Sequence, residues 1–177
     1  RELFDLDEKP EHMNPASIDE AVENEEKLYS RVFEAFEAIS SNKDIVVLEG
    51  TDYTSAVTAL EFDINAQLAN NLNAPVILVA NGIDRTPGEI AGSAAEVTGS
   101  FREQGCRFLG VVVNLFQSDQ VEKDTGEIER LLRKNKVPLF GTLLRHPLLS
   151  GPRLCEVAEQ LDADILYQGD DLCKVVT

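Results

Sequence analysis

The sequence predicts an α/β domain with three layers, α/β/α, built around a mainly parallel β-sheet. Short apolar runs alternate with stretches whose apolar residues recur at helical spacing, in the order βαβαβαβαβ. The first three runs are continuous and rich in β-branched residues, which is typical of parallel strands buried on both faces. Crossovers between parallel strands are right-handed, so we expect helices on both sides of the sheet.

The chain opens on a polar segment that a long helix is expected to follow. Residues 1–14 are predicted to be an irregular lead-in, and 15–177 a single α/β domain. Ser17 and Glu20 have the S-x-x-E spacing of a capping box. The apolar residues that recur at helical spacing after this signal are Ile18, Val22, Tyr29, Val32, Phe36 and Ile39.

Five apolar runs are predicted to be the strands of the sheet. They are residues 45–48, 76–80, 109–113, 139–140 and 165–167. We expect the first two to be buried on both faces, as central strands are. Their backbone N–H and C=O groups must then be paired, because a buried group without a hydrogen bond costs about 1–3 kcal/mol.

Four helical patterns lie between these runs. The first is the stripe formed by Val57, Leu60, Ile64, Leu68 and Leu72. The second starts at a capping box of Thr86 and Glu89 with Pro87 at the first helical position, and its apolar stripe is Ile90, Ala94, Val97 and Phe101. Weaker patterns cover residues 127–134 and 152–161.

The bulk composition narrows the classes of function. The chain has 32 acidic and 16 basic residues and a net charge of −16, so its surface should repel nucleic acid. No apolar run reaches the ~20 residues that span a bilayer, and no signal peptide is recognised, so we expect a cytoplasmic protein without a membrane partner. Three scattered cysteines and two histidines indicate neither a disulfide framework nor a His-rich metal site.

Ligands of open parallel sheets bind at the carboxyl ends of the strands, and this rule selects the candidate site residues. Glu49 follows the first strand and could hold Mg²⁺ through one oxygen, or could cap nearby backbone or pair with an arginine. Asn114 ends the third strand and could read a nucleobase edge, or bond to loop backbone. Thr142 and Arg145 follow the fourth strand and are further candidates for nucleotide binding, whereas neighbouring His146 lacks a visible catalytic partner.

Several catalytic motifs are missing from the sequence. The chain contains no G-x-x-x-x-G-K-[ST] phosphate loop and no G-x-G-x-x-G after a strand. It also contains no G-x-S-x-G elbow and no Cys/His pairing that would indicate nucleophilic catalysis. We therefore assign no catalytic residue.

Four segments and the chain ending resemble a known family. They are DIVVLEG (44–50), LNAPVILV (72–79), GVVVN (110–114), VPLFG (137–141) and LDADILYQGD (161–170). They are similar to the dethiobiotin-synthetase-like, P-loop NTPase fold in the N-terminal region of long bacterial phosphate acetyltransferases. The ending resembles the junction to the next domain of those proteins, which is named for a DRTGG motif.

The resemblance implies specific roles for two residues. In the dethiobiotin synthetase branch the strand-end Glu holds Mg-ATP together with a P-loop, and that Glu matches Glu49. The base-contacting Asn of that branch matches Asn114. Thr51, Asp52 and Tyr53 stand where that branch has small residues, which favours the acetyltransferase branch.

The P-loop strand of the resembling proteins lies between the strands that match 45–48 and 76–80, and it is missing from the given sequence. The given residues are therefore expected to be part of a longer chain. We expect the strands at 45–48 and 76–80 either to pair directly with each other or to be joined by another chain segment that takes the place of the missing strand.

The resemblance implies a regulatory or scaffold domain of a phosphate acetyltransferase. Such an enzyme converts acetyl-CoA and phosphate to acetyl phosphate and CoA in a C-terminal domain that is not present here. The expected partners are the C-terminal domains of the same polypeptide, a small-molecule effector and further copies in a homo-oligomer, with Mg²⁺ and a nucleotide as possible cofactors. The alternatives are an ATP-dependent ligase of the dethiobiotin synthetase or cobyrinate amidase type, and an oligomerisation module without a ligand.

Overall fold

The computed structural model describes residues 13–16, 24–51, 58–146, 154–161 and 163, and it has the predicted α/β class. The chain divides into two compact units, Arg1–Ala74 and Pro75–Thr177. The described elements are α1 (Glu25–Ser40), α2 (Thr58–Asn71), β1 (Val76–Asn81), α3 (Pro87–Glu103), β2 (Phe108–Phe116), α4 (Val121–Lys134), β3 (Leu139–Leu144) and α5 (Leu154–Gln160).

The first unit contains helices α1 and α2. Helix α1 begins after Asn24, whose backbone is extended and whose side chain accepts a hydrogen bond from the N–H of Lys27. The predicted helix is confirmed over Glu25–Ser40, and its predicted start, with the Ser17–Glu20 capping box, lies outside the described residues. Leu28 and Ile64 form the buried centre of a small core, with Tyr29, Val32 and Leu68 packed around them.

Residues 45–48 do not form the predicted strand. They belong to no strand, and Ile45 and Val47 are 81% and 88% exposed. The prediction was wrong because a strand needs a neighbouring strand to pair with, and an apolar run alone cannot supply one. Because residues 45–48 form no strand, the expectation that they pair with residues 76–80, directly or through a third segment, is wrong.

The second unit contains a parallel sheet in the order β1-β2-β3. The predicted strands at 76–80, 109–113 and 139–140 are confirmed, and each is longer than the apolar run that predicted it, β3 most of all. The register pairs Val79 with Val112 and Asn81 with Asn114, so the carboxyl ends of β1 and β2 lie side by side. The strand predicted at 165–167 lies outside the described residues.

Helices α3 and α4 cover one face of this sheet. Ala80, Val111 and Val113 point from the strands into the core, where they meet side chains of both helices. The buried helical residues of this core are Ile90, Ala91, Ala94, Ile128 and Leu132. Of the stripe predicted for α3, Ile90 and Ala94 lie in this core and Phe101 is buried, whereas Val97 is only half-buried.

The opposite face of the sheet, here called the outer face, is exposed. Ile77 is 48% exposed, Val79 is 62% exposed and Phe140 is 56% exposed. The prediction that these strands are buried on both faces is therefore wrong for the described residues. A continuous apolar run does not reveal whether one or two layers pack against a strand.

Three helices that precede strands end in the same way. In α3, the N–H of Gly105 donates to Arg102 and the N–H of Cys106 donates to Phe101, which is a Schellman motif. The same two bonds follow α2 and α4, where Asn73 and Lys136 occupy the left-handed position with φ of 49° and 56°. These motifs satisfy the last carbonyl groups and direct the chain into the next strand.

Helix α4 begins earlier than residue 127, where its pattern was predicted to start. The hydroxyl of Ser118 accepts a hydrogen bond from the N–H of Gln120 and donates to Asp124 Oδ2 at 2.6 Å. These bonds organise the turn before Val121, the first helical residue. The apolar periodicity did not predict this turn, because the residues of the turn are polar and add nothing to an apolar pattern.

Arg102, in the last turn of α3, ties this helix to the turn that follows α4. Its guanidinium donates to the carbonyl oxygens of Asn135 at 3.2 Å and Lys136 at 2.8 Å. The same group lies over the ring of Phe108, 5.9 Å from the centroid. One side chain thus joins α3, β2 and the α4–β3 turn.

The capping box of α3 forms as predicted. Glu89 Oε2 accepts hydrogen bonds from the backbone N–H of Thr86 at 2.8 Å and from its hydroxyl at 2.7 Å, and Thr86 Oγ1 accepts from the N–H of Glu89. The backbone hydrogen bond, the hydroxyl and nearby Arg85 together lower the pKa of Glu89 below its ordinary value of 4.5.

We expect this pKa shift to make the stability of the second unit depend on acid pH. Because the folded state favours the ionised carboxylate, the contribution is complete above pH 4.5 and is lost as the pH falls through the folded pKa. Thermal unfolding measured across this range should show a smaller loss in Glu89→Gln than in the native chain. Glu96→Gln, an exposed change on the same helix, is the control; identical acid profiles for Glu89→Gln and the native chain would contradict the prediction.

No helix within the described ranges combines the length and the apolarity that crossing a bilayer requires.

Candidate functional site

The candidate site lies at the carboxyl ends of β1 and β2. Asn81 is the last residue of β1, and its partner in the register is Asn114 near the end of β2. Asn81 is exposed and Asn114 is half-buried. Because paired residues of neighbouring strands point to the same side, both amides lie on the outer face of the sheet.

The turn after β1 fixes the side chain of Asn81. The N–H of Ile83 donates to Asn81 Oδ1 at 2.9 Å, and the N–H of Gly82 donates to the carbonyl of Asn114 at 2.8 Å. A Cβ on Gly82 would lie 2.9 Å from the Cα of Phe116, which is closer than real Cβ atoms approach. Glycine is therefore required where β1 passes into this turn.

A bulge fixes the side chain of Asn114. The pairing of β2 with β3 is irregular between Val113 and Phe116, and Leu115 has a φ of 57°. A left-handed backbone is unfavourable for a residue as bulky as Leu. The N–H of Leu115 donates to Asn114 Oδ1 at 2.9 Å, so the bulge and the amide support each other.

Thr142 and Arg145 do not join the two asparagines. Thr142 pairs with Val113, a residue of the helix-covered face, and its hydroxyl lies 3.1 Å from the hydroxyl of Thr125 on α4. Arg145 is exposed, and its backbone N–H donates to the carbonyl of Phe116 at 3.0 Å. Thr142 therefore ties β3 to α4 on the face opposite to Asn114, and the nucleotide role of Thr142 and Arg145 stays a prediction.

Glu49 belongs to the first unit, in a loop that Asn65 of α2 holds in place. The N–H of Thr51 donates to Asn65 Oδ1 at 3.2 Å, and Asn65 Nδ2 donates to the carbonyl and the hydroxyl of Thr51. A Cβ on Gly50 would lie 2.8 Å from Asn65 Oδ1. Sequence reasoning missed Asn65, because a polar residue within a helical pattern carries no local signal of such a contact.

Glu49 itself is exposed, so the argument that a buried charge must find a metal does not apply to it. Within the described ranges, no group of three or more His, Cys, Asp or Glu residues is arranged to hold a metal ion. A single carboxylate can still bind Mg²⁺, because this ion usually keeps several of its water ligands. The role of Glu49 as a Mg²⁺ ligand stays a prediction.

Arg85, in the loop after β1, is held by helix α3. Its Nη2 donates to the carbonyl of Glu89 at 2.9 Å and to the hydroxyl of Ser93 at 2.8 Å. Its neighbour Asp84 has a φ of 50°. The loop therefore uses its arginine to anchor itself on the helix.

Comparisons with known proteins identify relatives of the chain. A family model described as an AAA domain matches residues 1–153. The phosphate acetyltransferase of Synechocystis sp. is 25% identical over 85% of this chain and 22% of its own length, and that of Pseudomonas putida is 30% identical over 82% and 21%. The cobyric acid synthase of Chlorobium phaeobacteroides is 34% identical over 68% of this chain and 24% of its own.

The chain spans about one-fifth of the length of these relatives. No solved structure matches it at a significant level.

Proposed function

The chain belongs to the AAA domain family, and from this premise we propose that it is a regulatory or scaffold domain of a cytoplasmic phosphate acetyltransferase. In this proposal the domain binds a small-molecule effector at the carboxyl end of its sheet. The conversion of acetyl-CoA and phosphate to acetyl phosphate and CoA takes place in a C-terminal domain of the same polypeptide. That domain and further copies of the chain are its partners.

The observation that carries this proposal is the chemistry of the strand ends. Asn81 and Asn114 present neutral amides, and each amide oxygen is already fixed by a backbone N–H. Amides held in this way are suited to recognising a ligand by hydrogen bonds. They cannot act as nucleophiles or exchange protons near neutral pH, so they favour binding over catalysis.

The resemblance to phosphate acetyltransferases supports the identity of the parent enzyme. Five relatives at 25–30% identity carry that name and match between 79% and 85% of this chain. Since each is matched over only about one-fifth of its length, the remainder of such a protein has room for a separate catalytic domain.

We expect the isolated chain to release no CoA from acetyl-CoA and phosphate above the buffer rate, because the proposal places that chemistry in another domain. The assay follows free thiol with the isolated chain and, as a positive control, with the full gene product that contains it. Deleting the chain from that product should leave acetyl transfer measurable and change its response to metabolites. CoA release by the isolated chain would overturn the proposal.

An ATP-dependent ligase is the second candidate, and the cobyric acid synthases among the relatives favour it, at 34% and 30% identity. In that case Glu49 would hold the Mg²⁺ of Mg-ATP. ATP hydrolysis by the chain that disappears in Glu49→Ala would favour the ligase. Our proposal expects little or no hydrolysis, because the sequence lacks a phosphate-loop lysine to stabilise the transferred phosphoryl group.

A further inference from the structure

We propose that Asn81 is a site of spontaneous deamidation, which the fold protects as long as the carboxyl end of β1 stays paired with β2. Asn81 is followed by Gly82, and this is the single Asn-Gly pair in the sequence. Asparagine is a chemically labile residue, and a following glycine leaves the attacking backbone nitrogen unshielded because glycine has no Cβ. The inference goes beyond the proposed function and does not depend on it, because the reaction needs no ligand and no other domain.

The reaction is a cyclisation within the chain, followed by hydrolysis. The backbone nitrogen of Gly82 attacks Cγ of Asn81, so that a new N–Cγ bond forms and the Cγ–Nδ2 bond breaks. The side-chain nitrogen leaves as ammonia and takes with it the proton of the Gly82 N–H. Water then opens the cyclic imide at either of its two carbonyl carbons and returns a proton to the ring nitrogen. The product is an aspartate or an isoaspartate at position 81.

The fold requires both residues of this labile pair. A Cβ on Gly82 would lie 2.9 Å from the Cα of Phe116, so a larger residue does not fit there without a shift of the backbone. Asn81 Oδ1 accepts the N–H of Ile83 at 2.9 Å, which closes the turn after β1. Asn81 is also exposed, so water can reach the imide. The lability is therefore built into the end of this strand.

Two features of the paired strands hold the reaction back. The N–H of Gly82 donates to the carbonyl of Asn114 at 2.8 Å, and this protecting hydrogen bond must break before the nitrogen can lose its proton and attack. Asn81 is itself a strand residue in register with Asn114. Ring closure must rotate the backbone at Asn81 out of the extended conformation of a strand, which the pairing prevents.

Once the protecting hydrogen bond opens, the contact that remains in the turn favours the reaction. The N–H of Ile83 donates to the side-chain oxygen of Asn81, where negative charge develops when Gly82 attacks. A fixed donor at that position stabilises the developing charge. The same side-chain amide is therefore protected when the two strands are paired and activated when their ends separate.

The bulge in β2 is the part of the sheet on which this protection depends. Asn114 supplies the carbonyl of the protecting hydrogen bond, and its side chain accepts the N–H of Leu115, which has a φ of 57°. A left-handed backbone is unfavourable for Leu. Local opening at such a position costs less free energy than global unfolding. The rate of deamidation at Asn81 therefore reports how often the carboxyl ends of β1 and β2 separate.

Deamidation changes the candidate site at the strand ends. Either product places a carboxylate beside Asn114, where both strand ends now carry neutral amides. Isoaspartate also adds a carbon atom to the main chain before Gly82. The N–H groups of Gly82 and Ile83 then cannot both keep their present hydrogen bonds, so the end of β1 should separate from β2.

Peptide mass spectrometry of the full chain, incubated at mildly alkaline pH, measures the conversion at Asn81 in the folded state and in urea. The folded chain should convert at least about tenfold more slowly, which is the scale of one buried hydrogen bond. Asn42, exposed and outside any helix or strand, is the internal reference that corrects for the effect of urea on the chemistry. In urea, Gly82→Ala should slow the conversion by about tenfold or more, because the new Cβ shields the nitrogen.

Asn114→Ala tests the protecting contact in the folded chain. The change removes the oxygen that accepts the Leu115 N–H, and it should accelerate the conversion of Asn81 by at least about threefold. Asn42→Ala is the control and should convert Asn81 at the native rate. Thermal unfolding establishes that both variants are folded under the conditions of the incubation.

Two results would overturn the inference. The first is an equal rate at Asn81 in the folded chain and in urea, after correction by Asn42. The second is a folded Asn114→Ala chain that converts Asn81 no faster than Asn42→Ala does. The comparison of the folded chain with the chain in urea uses the native sequence, so it decides the matter even where a variant fails to fold.

Discussion

Replacing Ile128 by Ala should lower the free energy of unfolding by about 2–5 kcal/mol. Ile128 is fully buried on α4, in the core that this helix shares with α3 and the strands. The substitution removes three carbon atoms and leaves a cavity that packed neighbours cannot fill. Since the free energy of unfolding of a domain is only about 5–15 kcal/mol, the substitution should remove a large part of the stability of the second unit.

Urea unfolding of the Ile128→Ala chain measures this loss, with Arg130→Ala as the control on the same helix. Arg130 is exposed and forms only a 3.7 Å ion pair with Glu127, so its removal should change stability by less than about 0.5 kcal/mol. If Ile128→Ala is no more destabilising than Arg130→Ala, the assignment of α4 to the core is wrong.

Replacing Gly82 by Ala should cost about 1–3 kcal/mol, because the new Cβ must enter a space that is already filled. It would lie 2.9 Å from the Cα of Phe116 and 3.0 Å from Cγ1 of Val113. The backbone at Phe116 cannot yield as a flexible side chain would. The strain should also move the Asn81 and Asn114 amides, so their NMR signals should shift even where the fold is kept.

Gly92→Ala is the matched control and should have the opposite sign. Gly92 lies within helix α3, and a Cβ there meets nothing within 4 Å. Alanine in a helix interior is more favourable than glycine by about 0.5–1 kcal/mol, so this variant should be more stable than the native chain. Equal effects of the two substitutions, by thermal unfolding, would contradict the close contact at Gly82.

The parts of the fold that depend on local sequence were predictable. Thr86, Pro87 and Glu89 lie within four residues, and the capping box and helix start they predict are confirmed. The apolar run at 76–80 was also predicted to be a strand, and it is one because β2 lies beside it. The run at 45–48 has a similar composition but forms no strand, because a ladder depends on what lies beside it rather than on the run itself.

The sequence predicted which loops carry the candidate site but not which side chains of those loops lie together. The rule that ligands bind at strand ends selected both Asn114 and Thr142, but it cannot tell which face each occupies. Register decides that, and it places Thr142 with inward-pointing Val113. The position of Asn81 beside Asn114 likewise depends on the register of β1 and β2 and on the bulge at Leu115. The sequence of a single strand encodes neither feature.

The hydrogen bonds of Arg102 affect the kinetics of unfolding. The guanidinium joins residues that are 33 and 34 positions apart, so its contacts can form only after α3 and α4 have docked. Interactions that form after the transition state chiefly slow unfolding and hardly change the folding rate. We therefore expect Arg102 to prolong the life of the folded second unit rather than to hasten its formation.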